Sequence, residues 1–289
     1  MNQKFVFSIL VNIIFCTQFV LAQTITTESF QKLMTLSGIT KQVAEYPALI
    51  ISGMNQSRLQ GPPISEVLFT ELTNATSSAF QASYFLDAIG HEIKSNVSEE
   101  NAQKLFVWYE SKLGKHVTQL EESASTPQAF QEMIQNARSL FAKKERLAMA
   151  STLDSFVNAT EMTYQTQRDI ALAVFSAISQ ANEEHPTKAI NAFKIELDSQ
   201  KGQMLNNSKQ MVLLSLVYSY QSLDIEDLKQ YLNFVGHPDT KAFNDATMKG
   251  LTKGFQKSTE LLSTAAAKVF TKVRINKNKE SILENLATE

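Results

Sequence analysis

Eight apolar residues between positions 68 and 93 follow one another at alternating intervals of four and three. They are Leu68, Leu72, Ala75, Ala79, Ala82, Leu86, Ile89 and Ile93. An α-helix turns once in about 3.6 residues, so this spacing gathers all eight on one stripe. A strand would divide them between two faces. The pattern predicts one helix over 64–95, preceded by the breaker Gly61-Pro62-Pro63 and capped by Ser65. Alanine fills the middle of the stripe, which lets a neighbouring helix come close. The same stripe would serve a coiled-coil dimer seam. Matching stripes further along favour a bundle within the chain instead. They are Phe193, Leu197, Met204, Met211, Leu214 and Tyr218 in 187–222, and Met248, Leu251, Phe255, Leu262, Val269 and Val273 in 246–274. With nine glycines in 289 residues and no sustained alternation of strand residues, the expected fold class is all-α, a multi-helix bundle.

The first residues, MNQKFVFSILVNIIFCTQFVLAQ, read differently. Lys4 precedes an apolar run that ends at Val20-Leu21-Ala22. That is the pattern of a secretory signal peptide over 1–22, cleaved after Ala22. An uncleaved anchor is the rival reading, weakened by Asn12 and Gln18 within the run. Cys16 is the single cysteine and leaves with the leader. The mature chain then has no thiol, which excludes disulfide-stapled scaffolds, cysteine-ligated zinc and thiol enzymes. The net charge of −2 becomes one unit more negative without Lys4, so no global attraction to nucleic acid exists. The expected location is exported, periplasmic or extracellular, with no integral membrane segment after cleavage.

Chain breaks fall at Leu36–Gly38, Gly61–Pro63, Asn96–Ser98, Ser123–Pro127, His185–Pro186 and Leu223–Asp224. Ser98 before Glu99 and Glu100, Thr126 before Pro127, and Asp224 before Glu226 and Asp227 each suit a helix start. Ser98 and Asp224 are 126 residues apart, and at that offset 97–117 lies on 223–243 without a gap. Apolar character agrees at Leu105/Tyr231, Phe106/Leu232, Trp108/Phe234, Tyr109/Val235 and Val117/Phe243, with Lys115/Lys241 identical. An internal repeat is expected, two three-helix units over roughly 30–122 and 150–247. The corresponding division is 23–149, a first helical unit with a linking helix, and 150–289, a second unit with a long C-terminal helix and tail.

The stretch LFVWYESKLGK (105–115) resembles the signature of bacterial domain-of-unknown-function family 2059, which runs aromatic-aromatic-x-Ser-Pro-x-Gly-x-Lys. Trp108, Tyr109, Ser111, Gly114 and Lys115 match it, with Lys112 in place of proline. Phe234, Pro238 and Lys241 match a second copy, where His237 and Thr240 replace serine and glycine. The resemblance implies an exported helical protein of a bacterium and carries over no catalytic residue.

Chemistry finds little purchase in the pattern. In FVGHPDTKAF (234–243) His237 and Asp239 would be the acid–base pair of a small active site. Each residue there also has a structural role: Gly236 as a left-handed cap, Pro238 in a first helical turn, Asp239 at a helix start, Phe234 and Phe243 facing the core. The structural reading is favoured. Glu110–Gly114 is read in the same way as a helix corner. No His-Glu-x-x-His, no Glu-x-x-His and no Gly-x-Ser-x-Gly occurs. Glu183-Glu184-His185 reads as a solvated loop, and Lys143-Lys144-Glu145-Arg146 as a solvated helix face. Lys268, Lys272, Arg274, Lys277 and Lys279 read as cations at a helix C-terminus before a frayed tail, with an acidic surface or anionic lipid head groups as the alternative partner. No catalytic, cofactor or metal residue is assigned. The function expected is a non-catalytic exported module that binds or scaffolds an envelope protein. The alternative is a carrier enclosing a small apolar ligand between its halves, lined by Met133, Met149, Met162, Met204 and Met211; an enzyme is the least favoured reading.

Overall fold

A computed structural model describes residues 24–60, 65–182 and 186–287. The leader with Cys16, the Gly61-Pro62-Pro63 breaker and Glu183-Glu184-His185 lie outside them. The described chain is all-α. Its helices are α1 Thr27–Leu36, α2 Ile39–Ala44, α3 Tyr46–Gln60, α4 Glu66–Ala79, α5 Ala82–Asn96, α6 Glu99–Glu110, α7 Lys112–Ala124, α8 Pro127–Gln135, α9 Ala137–Phe141, α10 Lys144–Val157, α11 Ala159–Asn182, α12 Pro186–Ser199, α13 Lys201–Ser219, α14 Ile225–Val235 and α15 Pro238–Ala287. Among the described residues the only β-type pairing is an isolated bridge between Thr24 and Ser98.

The last helix is the spine. At 50 residues α15 is about 75 Å long. It lies against α5 and α11, and along α4. The main core joins Leu33, Phe85, Ile89, Ile93 and Leu105 to Phe243, Ala246, Leu251 and Leu262 of α15. It therefore draws on both sides of position 149/150, which itself lies inside α10. A second cluster gathers Val117, Leu153, Tyr220, Leu223, Leu228 and Val235. A third gathers Met133, Leu140, Ala150, Leu214 and Val217.

The stripe of 64–95 is divided between two helices, which corrects the single helix expected there. Phe80 leaves helical geometry (φ −102°, ψ 57°), and its fully buried ring lies 6.4 Å from Phe255. Thr76 and Ser78 hydroxyls donate to the carbonyls of Leu72 and Asn74, a habit that bends helices. The stripe survives the break: Ala79 is buried in the main core and Ala82 packs against it. The close approach it promised comes from the other side. A Cβ on Gly250 would lie 2.4 Å from Ile89 Cα, and one on Gly254 would lie 2.5 Å from Phe85 Cδ1. The segment 187–222 is likewise two helices, broken at Gln200.

Three smaller expectations are corrected. Gly236 is right-handed (φ −76°), not a left-handed cap; the absent side chain instead admits the Phe156 ring, 2.9 Å from where a Cβ would stand. Lys268, Lys272 and Arg274 sit mid-helix because α15 continues to Ala287, and Lys272 pairs with Glu71 at 2.7 Å. Lys277 and Lys279 lie outside the described side chains. Arg146 is not a solvated residue: its guanidinium donates to the carbonyls of Tyr220 (2.9 Å) and Leu223 (2.5 Å), closing the C-terminal end of α13.

Candidate functional site

The site is assembled from a corner that the sequence marks and a carboxyl that it does not. Ser111 ends α6 and caps α7, its hydroxyl accepting from Gly114 N at 2.9 Å. Gly114 admits no side chain, since a Cβ would meet the Trp108 carbonyl oxygen at 2.0 Å. The corner aims Trp108 at Phe234, with ring centroids 4.4 Å apart and planes 8° from parallel. These are the residues related by the offset of 126. Trp108 also stacks on Tyr231 at 5.9 Å, and Tyr109 meets Phe234 and Phe243 edge-on at 5.7 and 6.2 Å. Pro238 opens α15, while Lys115 and Lys241 are exposed in the first turns of α7 and α15. Lys241 pairs with Asp245 at 2.6 Å.

Behind this stack, Glu121 of α7 turns inward. It follows Val117 by four residues and so shares the apolar face of its helix, whereas Glu122 faces out to Lys41 at 2.9 Å. Tyr220 Oη and Tyr231 Oη each donate to Glu121 Oε1 at 2.6 Å, and the two hydroxyls are 3.3 Å apart. Burial pushes the Glu121 carboxyl above its ordinary range, against hydrogen bonds from Tyr220, Tyr231 and Gln42 that favour the charged form. Burial, followed by the neighbouring Glu121, raises Tyr109, Tyr220 and Tyr231 as well. Each donor is held in place. Tyr231 is held by stacking on Trp108, and Tyr220 by the grip of Arg146 on its carbonyl.

Glu121 opens into a cleft of about 310 Å³ at the meeting of α2, α7, α13, α14 and α15. Gln42, Ser125, Ser215, Ser219, Asn244 and Thr247 bring amides and hydroxyls to its walls, and Leu216, Phe243 and Leu251 supply apolar surface. Thr247 Oγ1 is buried without a hydrogen-bond partner. None of the residues lining this cleft is a lysine or arginine. Such a lining suits an uncharged polar ligand: carboxyl oxygens accept, tyrosine hydroxyls both donate and accept, and aromatic edges cover apolar faces.

Of the sequence-marked residues, Tyr109 reaches this cleft and Trp108 and Phe234 support it. His237 does not. It lies at the surface with its side chain 59% exposed, Nδ1 3.4 Å from Asp239 Oδ2, and Asp239 instead reaches Lys104 at 3.0 Å. The five methionines do not share a pocket: Met133 is in the third cluster, Met149 packs on the second, Met162 packs on the main core, Met204 is half-buried on α13, and Met211 is exposed. Among the described residues, no group of three or more His, Cys, Asp and Glu gathers for a metal ion, and no helix is long and apolar enough to cross a membrane. Compared with protein-family models, with curated proteins and with solved structures, the chain matches none.

Proposed function

We propose that this is an exported, non-catalytic binding protein that holds a small polar ligand in the cleft around Glu121. The observation that carries the reading is the inward carboxyl fixed by two tyrosine hydroxyls at the wall of a cleft of about 310 Å³. Ordinary cores do not leave such a group facing open space. The lining redirects the carrier reading from an apolar ligand to a polar one. The scaffold reading lacks a comparable feature. The large exposed apolar residues Val67, Val107, Phe141, Phe156, Ile195, Met211 and Ile275 fall one to a helix, the ordinary scatter of a protein surface.

Export rests on the leader pattern and on the resemblance of 105–115 and 234–241 to the exported family. The stacking of Trp108 on Phe234, each the other's equivalent at the offset of 126, supports an origin by duplication. So does Tyr109 against Phe243, mirrored by Val235 and Val117 in one cluster. A duplicated corner meeting its copy would leave the cleft beside their junction.

Native mass spectrometry of the protein purified gently from its own compartment tests the reading. The expected spectrum carries an excess mass of a few hundred daltons that is lost on denaturation. A Ser219→Phe variant, which fills the cleft, loses it while melting cooperatively. Polypeptide mass alone in both proteins would contradict the reading.

A further inference from the structure

The Glu121 cleft does not end at Met248. A second cleft of about 330 Å³ opens beyond it, between α15 and the α10–α11 region, and Val157 and Met248 line both. α15 forms the floor of both. Phe243, Thr247 and Leu251 border the first cleft, and Thr252, Phe255 and Thr259 border the second. From Phe243 to Thr259 the floor runs about 24 Å, longer than any single small ring.

Two observations point to what lies along it. Thr259, 8% exposed, lines the second cleft, and its hydroxyl has no hydrogen-bond partner, as Thr247 has none in the first. A buried hydroxyl left unpaired is a standing cost unless something in the cleft answers it. The charge is also one-sided. Glu161 and Asp169 join Glu121 on the walls, and the one cation lining either cleft, Lys249, is committed to Glu92 at 2.8 Å. An anionic chain is repelled. Burial raises the Asp169 carboxyl against the opposing influence of Arg168, as burial raises Glu121. Carboxyl oxygens, the Gln256 amide and aromatic rings are the groups that recognise adjacent hydroxyls and ring faces.

We propose that the two clefts are consecutive subsites for one extended, uncharged, hydroxyl-rich chain, a short oligosaccharide laid along α15. The proposal rests on the reading of the Glu121 cleft as a binding site. Calorimetry on the full chain tests it, with N-acetylglucosamine and glucose and their β-1,4-linked oligomers of two to four units as probes. Affinity for at least one series rises tenfold or more from the monomer to the longest member. Thr259→Val and Gln256→Ala remove that rise and leave monomer binding intact, whereas Glu121→Ala weakens every member. Thr259→Val melts at or above the wild-type temperature, since it deletes an unpaired hydroxyl, so its binding loss is not misfolding. Affinity independent of chain length would overturn the second subsite and leave the Glu121 reading standing. Binding of spermidine with no response to either saccharide series would overturn the ligand class. Absence of all binding, beside a native mass spectrum without bound ligand, would take down both.

Discussion

Two of the carboxyl groups turned inward in this bundle, Glu92 and Glu121, are satisfied in opposite ways. Glu92 of α5 has a side chain 2% exposed and receives Lys249 at 2.8 Å and Lys253 beside it, both from α15. The lysine side chains are 60% and 48% exposed and roof the carboxylate just below the surface. Their hydrogen bonds, ahead of the opposing cost of burial, hold the Glu92 carboxyl down to about 2. Glu121 meets only uncharged hydroxyls and amides, and burial moves it the other way. A charge supplied by partners makes a fastening. A carboxyl given hydrogen bonds but no counter-charge, at the wall of a cleft, is left available. The packing around each agrees: beside Glu92 the glycines of α15 bring it against α5 without space for a methyl group, and around Glu121 the helices part.

Substitutions a turn apart on α15 would separate these regions. Gly250→Ala places a methyl group against Ile89 backbone and pushes α5 from α15, costing about 2–3 kcal/mol in denaturant unfolding. A cost under about 0.5 kcal/mol would show that the two helices are not closely packed. Glu92→Gln comes next, read as pH dependence. A carboxyl lowered in the folded state stabilises above its unfolded value of about 4.3 and loses that contribution as pH falls toward 2. Wild type therefore loses stability over that window more steeply than the variant. Glu99, also held near 2 by Ser29 and Thr26, contributes equally to both curves and cancels in the difference.

Glu121→Gln reverses the sign. A carboxyl raised in the folded state stabilises while both states are protonated, and that contribution fades as pH climbs from about 4.3 through the raised value. Wild type loses stability relative to the variant over that rise, with a slope no steeper than about 1.4 kcal/mol per pH unit, the limit for one proton. Parallel curves would place an ordinary carboxylate at 121. The smallest change is Thr247→Val, which deletes an unpaired hydroxyl from the cleft and shifts the melting midpoint by about 1 °C or less, upward if at all. A drop of several degrees would reveal a partner for that hydroxyl.

The all-α class was legible because burial on one face leaves a period in the sequence, and the stripes of 68–93 and 246–274 carry it. The break at Phe80 was not, because the stripe resumes in phase on its far side. The corner at Ser111–Gly114 was readable from cap chemistry, yet what it carries was not: nothing local says that Trp108 stacks on a residue 126 positions away. Glu121 hid in Glu121-Glu122, a pair that looks solvated. The signal was present in its register, four residues after Val117, on the apolar side of α7. Tyr220 and Tyr231 lie on other segments, so only the assembled fold shows what that register means. His237 drew notice as a rare residue type, but rarity says nothing of burial.

The central claim is that Glu121 is an inward carboxyl whose titration burial moves above the ordinary glutamate range. Infrared difference spectra of wild type against Glu121→Gln, recorded across pH, measure this at the group itself. The account predicts a protonated carboxyl C=O band, absent from the variant, that persists to higher pH than the bands of the exposed carboxyl groups and shifts when ligand fills the cleft. A Glu121 band that disappears near pH 4 and ignores ligand would contradict it, leaving the cleft an incidental gap between helices.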